Sequence, residues 1–271
     1  QDPFVVLRDG DATVLLYSMA NSNLADYLLP LQLSLQARRN VYLKPTVLYM
    51  EGGNILANDR TTYIGIDTIR QNVTEEMTFQ DVVEMFKAEL GTQEIQILGR
   101  NVEEGDGQPL FHLDLFMTPG GLDSESKQEL VFFANPRWTT ELLKEAKASR
   151  PEIVLSGFSN TDMEMFDLVR KQLIDSGHLV VDLPIFREHL RDYTCNNCLM
   201  EVDGESKIAF LPNYDSKSDG AQLNPTFRYL QQIVADQFQS QGFRVQTFDQ
   251  GKLFRNLVME RGSLHCAVKV M

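Results

Sequence analysis

The chain has 271 residues, 43% of them apolar, and a formal net charge of −13 at pH 7. This length allows one large domain or two ordinary ones, and the apolar content predicts a soluble globular protein with a folded core. The negative charge disfavours nonspecific binding to nucleic acid or to an anionic membrane and favours a cationic ligand.

The beginning of the chain, QDPFVVLRDG, lacks the basic and long apolar segments of a signal peptide. No apolar run approaches the roughly 20 residues of a membrane-spanning helix. Because the chain opens without methionine and directly on strand-like residues, a preceding segment is not excluded. The compartment therefore stays open, with the cytoplasm slightly favoured.

Short runs rich in β-branched and aromatic residues predict strands. In chain order these strands are 13–18, 46–50, 61–66, 94–98, 129–133, 152–156, 178–183, 207–211 and 243–248. Apolar residues at threefold and fourfold spacing predict helices, namely 79–90, 139–148, 161–177 and 225–242. A helix followed at once by a strand thus recurs about four times, which indicates an α/β fold. Polar stretches predict exposed loops over 99–109 and 212–224.

The segment YMEGGNILANDRTTYIG predicts a strand, a glycine turn and a second strand, with Glu51 at the end of the first strand. Paired glycines suit a positive φ or a close approach of the backbone to another group. A hairpin turn alone would explain Gly52 and Gly53. It would not explain a carboxylate that directly follows an apolar strand.

In FHLDLFMTP, the strand period of two places His112 and Asp114 on the same face. One face would then present an imidazole beside a carboxylate. An amphipathic strand with its polar face in water gives the same pattern. The apolar Phe116 continues that face, which favours a partly enclosed surface.

Three cysteines do not form a disulfide framework. Cys266 lies in a predicted terminal strand, GSLHCAVKV, where it is either a packing residue or a nucleophile whose base is a distant histidine. Cys195 and Cys198 form a C-x-x-C pair to which His189 could add a third zinc ligand. No fourth ligand is evident, so a structural pair is preferred.

Two further features suggest no specific function. His178 follows a glycine that ends a predicted helix, and we expect it to cap that helix or to face solvent. The glycosylation sequon Asn72-Val73-Thr74 is as compatible with chance as with modification.

Taken together, QDPF at the start, MEGGN at 50–54, HLD at 112–114 and GSLHC at 262–266 resemble the guanidine-modifying enzymes of the pentein superfamily. These include arginine, agmatine and peptidylarginine deiminases and the amidinotransferases. The resemblance covers nearly the whole chain and keeps the family's order of motifs. It implies an α/β-propeller of five ββαβ-type units with pseudo-fivefold symmetry around a central acidic site. The catalytic domain would then be a single one over residues 1–271, with its fifth unit incomplete.

The resemblance also implies catalytic roles. Cys266 would be the nucleophile, His112 would be the general acid and base, and Glu51 would orient and charge the imidazole. No metal or cofactor is expected in this reaction.

Substrate binding is implied in the same way. Asp2 and Asp114 would bracket a guanidinium with charge-assisted hydrogen bonds, and Asn54, after the glycines, is a further candidate. The substrate would be free arginine, agmatine or a peptidyl arginine.

The expected activity is that of a deiminase, which hydrolyses a guanidinium to a ureido group and ammonia. An amidinotransferase would use the same nucleophile with an amine in place of water. A third alternative is a non-catalytic binding protein, because the pentein fold also occurs in a translation initiation factor. The oligomeric state stays open.

Overall fold

The computed structural model describes residues 4–20, 24–36, 40–101, 107–188, 191–203, 206–214 and 225–248. Two of the predicted site residues, Asp2 and Cys266, lie outside the described residues, as does the predicted terminal strand around Cys266. By their contacts the residues form two compact units, one ending at Leu113 and the other beginning at Asp114. The prediction of a single catalytic domain stays a prediction.

The first sheet of the unit that ends at Leu113 has an antiparallel pair of strands and one parallel strand. β1 (Phe4–Asp9) runs antiparallel to β2 (Ala12–Ser18). Helix α1 (Leu24–Gln36) follows, and β3 (Val41–Thr46) pairs parallel with β2. The order of elements is therefore ββαβ.

The second sheet of this unit repeats that order. β4 (Ile55–Ala57) and β5 (Thr62–Gly65) form an antiparallel pair. They are followed by α2 (Ile66–Arg70), α3 (Phe79–Leu90) and β6 (Ile95–Leu98), which lies parallel to β5. Apolar side chains of these elements pack into a buried core that includes Ile64 and Phe86.

The unit that begins at Asp114 opens with a third sheet of the same kind. β7 (Met117–Leu122) and β8 (Glu129–Ala134) are antiparallel. Two helices, α4 (Pro136–Ser149) and α5 (Asn160–Asp175), precede β9 (Leu179–Leu183), which pairs parallel with β8. Every residue of β8 is buried, which explains its continuous apolar run.

A hairpin of β10 (Ile185–Glu188) and β11 (Arg191–Thr194) comes next. The last sheet again combines an antiparallel pair, a helix and a parallel strand: β12 (Leu199–Asp203), β13 (Ser206–Pro212), α6 (Pro225–Ser240) and β14 (Arg244–Phe248). Within the described ranges there are thus four ββαβ units and one separate hairpin. This recurrence agrees with the repeated helix and strand pattern of the sequence. None of the described helices is long and apolar enough to cross a membrane.

Helix ends follow the local sequence closely. α3 and α5 each begin with a capping box, formed by Thr78 with Asp81 and by Ser159 with Asp162. α5 ends in a Schellman motif, in which Gly177 at φ 87° donates its N–H to Ile174 and the next N–H bonds to the carbonyl of residue 173.

α6 ends in the same motif, with Gly242 at φ 81°. Its usual apolar contact is present as well, because the rings of Phe238 and Phe243 meet edge to face at 5.9 Å. Phe132 of β8 packs on both rings, so this helix end is anchored in the aromatic core of the second unit.

Several predicted elements are corrected by the structure. The predicted strand 46–50 is wrong, because β3 lies at Val41–Thr46 and no strand follows it before β4. The predicted strand 152–156 is also wrong: this segment bonds through side chains, with Val154 N–H donating to Thr226 Oγ1. Helix α1 is missed because its apolar residues do not keep to one face, and several, including Leu35, are exposed.

His178 does not face solvent, since its side chain is only 6% exposed and lies 3.9 Å from Glu129. Burial lowers the pKa of His178, and the charge of Glu129 opposes that shift. The capping expectation holds for the backbone, because its N–H bonds to the carbonyl of Leu173 at the end of α5.

Gly177→Ala should lower the free energy of unfolding by about 1 kcal/mol, because a side chain at positive φ is strained even where space is open. Gly157→Ala is the matched control, since its added Cβ would meet nothing closer than the Arg187 carbonyl at 3.5 Å. Urea unfolding of both variants measures the difference. Equal stability of the two would contradict the assigned helix end.

Candidate functional site

The segment Glu51–Asn54 forms a buried turn rather than the end of a strand. Glu51 has an extended backbone, with φ −127° and ψ 131°, and the 3-10 helix Gly52–Asn54 follows it. All three residues of this short helix are buried. The predicted hairpin turn lies farther on, where Asn58 N–H bonds to the carbonyl of Thr61 between β4 and β5.

The carboxamide of Asn54 holds the backbone on both sides of His112. Its Nδ2 donates to the carbonyl of Phe111 at 2.8 Å, and its Oδ1 accepts from the N–H of Leu113 at 3.1 Å. Gln108 Nε2 donates to the same Oδ1 at 2.8 Å. Gln108 is 2% exposed, so the predicted exposed loop 99–109 is wrong at this end.

His112 and Glu51 form a close, buried pair. His112 Nε2 lies 2.5 Å from Glu51 Oε2, and the two side chains are 3% and 13% exposed. Burial raises the pKa of Glu51, but the hydrogen bond and charge of His112 and the hydroxyl of Tyr49 outweigh it, and the net pKa falls below 4.5. A carboxylate in this position orients the imidazole through the hydrogen bond. The ring of Phe111 packs on the imidazole, with centroids 4.4 Å apart.

Sequence reasoning missed two residues near Glu51: Tyr49 bonds to its carboxylate, and Asn72 fixes the backbone of Tyr49. The hydroxyl of Tyr49 donates to Glu51 Oε1 at 2.9 Å. Asn72 accepts from the N–H of Tyr49 at 2.7 Å and donates to the carbonyls of Tyr49 and Thr68, both at 2.8 Å. With Asn72 6% exposed and its amide bonded in this way, the residue is unsuited to glycosylation. The signal for Tyr49 was its spacing, because residues two apart in an extended chain share a face.

Asp114 does not lie on a strand with His112. It belongs to the 3-10 helix Leu113–Leu115, and β7 begins only at Met117. The predicted strand is wrong because Asn54 takes up the backbone groups of Phe111 and Leu113 that a sheet would pair.

Within the second unit, Asp114 has a partner that the sequence did not indicate. Its Oδ2 accepts from Asn197 Nδ2 at 2.8 Å. Asp114 and Asn197 are 2% and 0% exposed. Asn197 lies between the two cysteines of the C-x-x-C pair, a segment in which the sequence drew attention to the thiols alone.

Cys195 and Cys198 are buried and not joined by a disulfide. Burial raises the pKa of each thiol to about 12, so both are protonated at neutral pH. Among the residues with described positions, no group of histidine, cysteine, aspartate and glutamate could hold a metal ion. His189 lies outside those positions. The burial of both thiols in the apolar core of the second unit agrees with a structural pair.

The structure therefore brings Glu51, His112 and Asn54 together in the first unit. Asp2 and Cys266 lie outside the described residues, so their predicted roles stay predictions.

No family model and no curated protein matches this sequence. Solved structures do match. The agmatine deiminase of C. jejuni has a TM-score of 0.64 at 15% identity, over 98% of this chain and 71% of that protein. The agmatine deiminase of Enterococcus faecalis has a TM-score of 0.58 at 13% identity, over 96% of this chain and 70% of that protein. This chain has the fold of the agmatine deiminases.

The α/β pentein fold expected from the sequence is thereby confirmed. The ββαβ units are the part of that fold which the described residues show directly. At these identities the likeness defines the fold, and an activity has to be argued from the residues of the site.

Asn54→Ala should lower the free energy of unfolding by about 2 kcal/mol, because it leaves the buried carbonyl of Phe111 and the N–H of Leu113 without this carboxamide. The matched control is Asn58→Ala in the turn between β4 and β5, where the Oδ1 accepts a bond from the adjacent N–H of Asp59. Chemical denaturation measures both. A loss of unfolding free energy no larger than that of the control would refute the role of Asn54 in holding the backbone around His112.

The Glu51–His112 pair predicts a pH-dependent contribution to stability. Since the folded state lowers the pKa of Glu51 below 4.5, its stabilisation is complete above about that pH and is lost as the pH falls through the lower folded value. The stability difference between the native protein and Glu51→Gln should therefore shrink on acidification. Unfolding curves from about pH 3 to pH 7 test this, with the exposed Glu76→Gln as control. A difference independent of pH would exclude the ionised pair.

Proposed function

We propose that this protein is a guanidine hydrolase, a deiminase that converts an arginine-type guanidinium to a ureido group and ammonia. The observation that carries this proposal is the buried His112–Glu51 pair, with Nε2 2.5 Å from Oε2, in a chain with the fold of agmatine deiminases. A histidine oriented by a carboxylate is suited to act as general acid for a departing amine. Both residues belong to the sequence motifs, MEGGN and HLD, that carry the family resemblance.

Cys266 is the proposed nucleophile. The sequence has three cysteines. Two of them, Cys195 and Cys198, are buried and have a pKa of about 12, so a reactive thiolate is not expected from either. That leaves Cys266, the thiol that the family resemblance assigns to catalysis.

The reaction follows from these roles. The Cys266 thiolate attacks the guanidinium carbon and forms a C–S bond, while His112 protonates the nitrogen that leaves as ammonia when its C–N bond breaks. The covalent thiouronium that results is then attacked by water, from which His112 takes a proton. Cleavage of the C–S bond releases the ureido product and restores the thiolate. The net change is the addition of one water and the release of one ammonia.

A guanidinium stays protonated at any ordinary pH, so it needs anionic groups to hold and polarise it. Asp114 and Asp2 are proposed for this role. Only Leu113 separates Asp114 from His112, so the covalent chain keeps their Cα atoms within about 7 Å. The net charge of −13 also favours a cationic substrate.

Asn54 was expected to contact substrate, and that prediction stays untested. Its bonds to the backbone at Phe111 and Leu113 instead support a role in positioning His112. A carboxamide occupied in this way fixes the direction in which the imidazole points.

Agmatine, free arginine and a peptide with an internal arginine are the substrates to test, agmatine first because of the fold. Turnover of at least one of them to ureido product and ammonia is expected. Cys266→Ala should abolish it, and His112→Ala should reduce it by at least about a thousandfold, because acid–base catalysis and nucleophile activation are both lost. Cys195→Ala serves as the thiol control and should retain activity.

The other outcomes each favour a different function. Formation of a guanidine product only when glycine or another amine is added would indicate an amidinotransferase. Absence of any reaction, with or without an amine acceptor, would overturn the enzymatic proposal in favour of a binding protein. Turnover that survives Cys266→Ala would refute the covalent mechanism.

A further inference from the structure

The C-x-x-C segment between β11 and β12 is buried and makes hydrogen bonds to other elements of the second unit. Residues 194–198, with sequence TCNNC, are at most 6% exposed. A polar loop buried to this degree has to pair its hydrogen-bonding groups internally. The thiols contribute little to this pairing: Cys198 Sγ makes one long bond of 3.9 Å to Thr118 Oγ1, and both thiols pack in the apolar core of the second unit.

Asn196 fastens this segment to the neighbouring sheet. Its carbonyl accepts from Thr118 Oγ1 on β7 at 2.6 Å, and its Nδ2 donates to the carbonyl of Phe132 on β8 at 3.0 Å. At the start of the segment, the hydroxyl of Tyr214 donates to the carbonyl of Thr194 at 2.7 Å. The backbone of Thr194 and Asn196, which precede Asn197, is therefore fixed by these hydrogen bonds.

Asn197 then points its amide at Asp114, with Nδ2 2.8 Å from Oδ2 and a longer approach of 3.5 Å to the Asp114 carbonyl. A carboxamide is a neutral donor, so it holds one oxygen of the carboxylate without cancelling its negative charge. A carboxylate can accept several hydrogen bonds, and a guanidinium can donate two in parallel to such a group. Lysine or arginine in place of Asn197 would hold Asp114 equally firmly but would compete with a cationic substrate.

We infer that Asn197 is a positioning residue, which holds the carboxylate of Asp114 in the orientation that binds the guanidinium of the substrate. The inference rests on the proposed function. It also gives the C-x-x-C segment a role in which the asparagines matter and the cysteines serve as packing.

The test measures ligand binding in a Cys266→Ala background, where turnover is prevented. Calorimetric titration with agmatine, arginine and an internal-arginine peptide identifies the tightest ligand. Asn197→Leu keeps the branched shape of asparagine and removes its donor, and Asn197→Ser is the second variant if the first does not fold. Cys195→Ala is the matched control, because it opens space in the same buried segment and leaves Asn197 in place.

Asn197→Leu should raise the Kd of the tightest ligand by about tenfold or more, the effect of losing a hydrogen bond to a charged group. Cys195→Ala should change it by less than about twofold, even if both variants lose similar thermal stability. With Cys266 intact, the Asn197 variant should raise KM more than it lowers kcat, because Asp114 binds ground state and transition state alike.

Each outcome decides between the two proposals. If the Cys266→Ala protein binds a ligand and Asn197→Leu leaves the Kd unchanged, the positioning role is overturned and the deiminase proposal stands. A Kd that rises equally in Cys195→Ala would also overturn it, since loosened packing would then explain the effect. A parent that binds none of the three ligands would overturn the proposed function, and the inference with it.

Discussion

The carboxamide of Asn54 is the contact on which the geometry of the site depends. Buried backbone N–H and carbonyl groups need partners, and strands normally supply them. Around His112 the partner is a side chain instead, which bonds to the carbonyl before the histidine and to the N–H after it. The backbone beside His112 therefore does not need a neighbouring strand, and the imidazole lies within hydrogen-bonding distance of Glu51.

Buried asparagines recur near the described ionisable residues Glu51, His112 and Asp114. Asn54 flanks His112, Asn72 holds the backbone of Tyr49 behind Glu51, and Asn197 bonds to Asp114. All three asparagines are at most 6% exposed. A buried charge is costly unless it is hydrogen-bonded, and an amide supplies that bond without adding a charge of its own. At Asp114 this bond leaves the negative charge of the carboxylate in place.

Predictions succeeded where local sequence determines the structure. The helix 79–90, predicted from its apolar spacing, has its observed bounds, and a capping box of Thr78 and Asp81 defines its start. The strand predicted at 152–156 and the strand that was to carry His112 and Asp114 were wrong because β propensity cannot tell whether a neighbouring strand is available. In both segments a side chain supplied the hydrogen bonds, Thr226 to Val154 and Asn54 to the residues beside His112.

The sequence by itself determined the α/β class and the order of the motifs, and the family resemblance of those motifs implied that Glu51 serves the imidazole of His112. These features depend on residue type, spacing and chain order, all of which are local or can be read directly. Only the tertiary structure decided that Asn72 fixes the backbone of Tyr49 and that Asn197 bonds to Asp114. Asn197 is 83 positions from Asp114, and Asn72 is 23 from Tyr49. Hydrogen bonds across such separations are set by how the sheets and helices pack, which residue spacing does not encode.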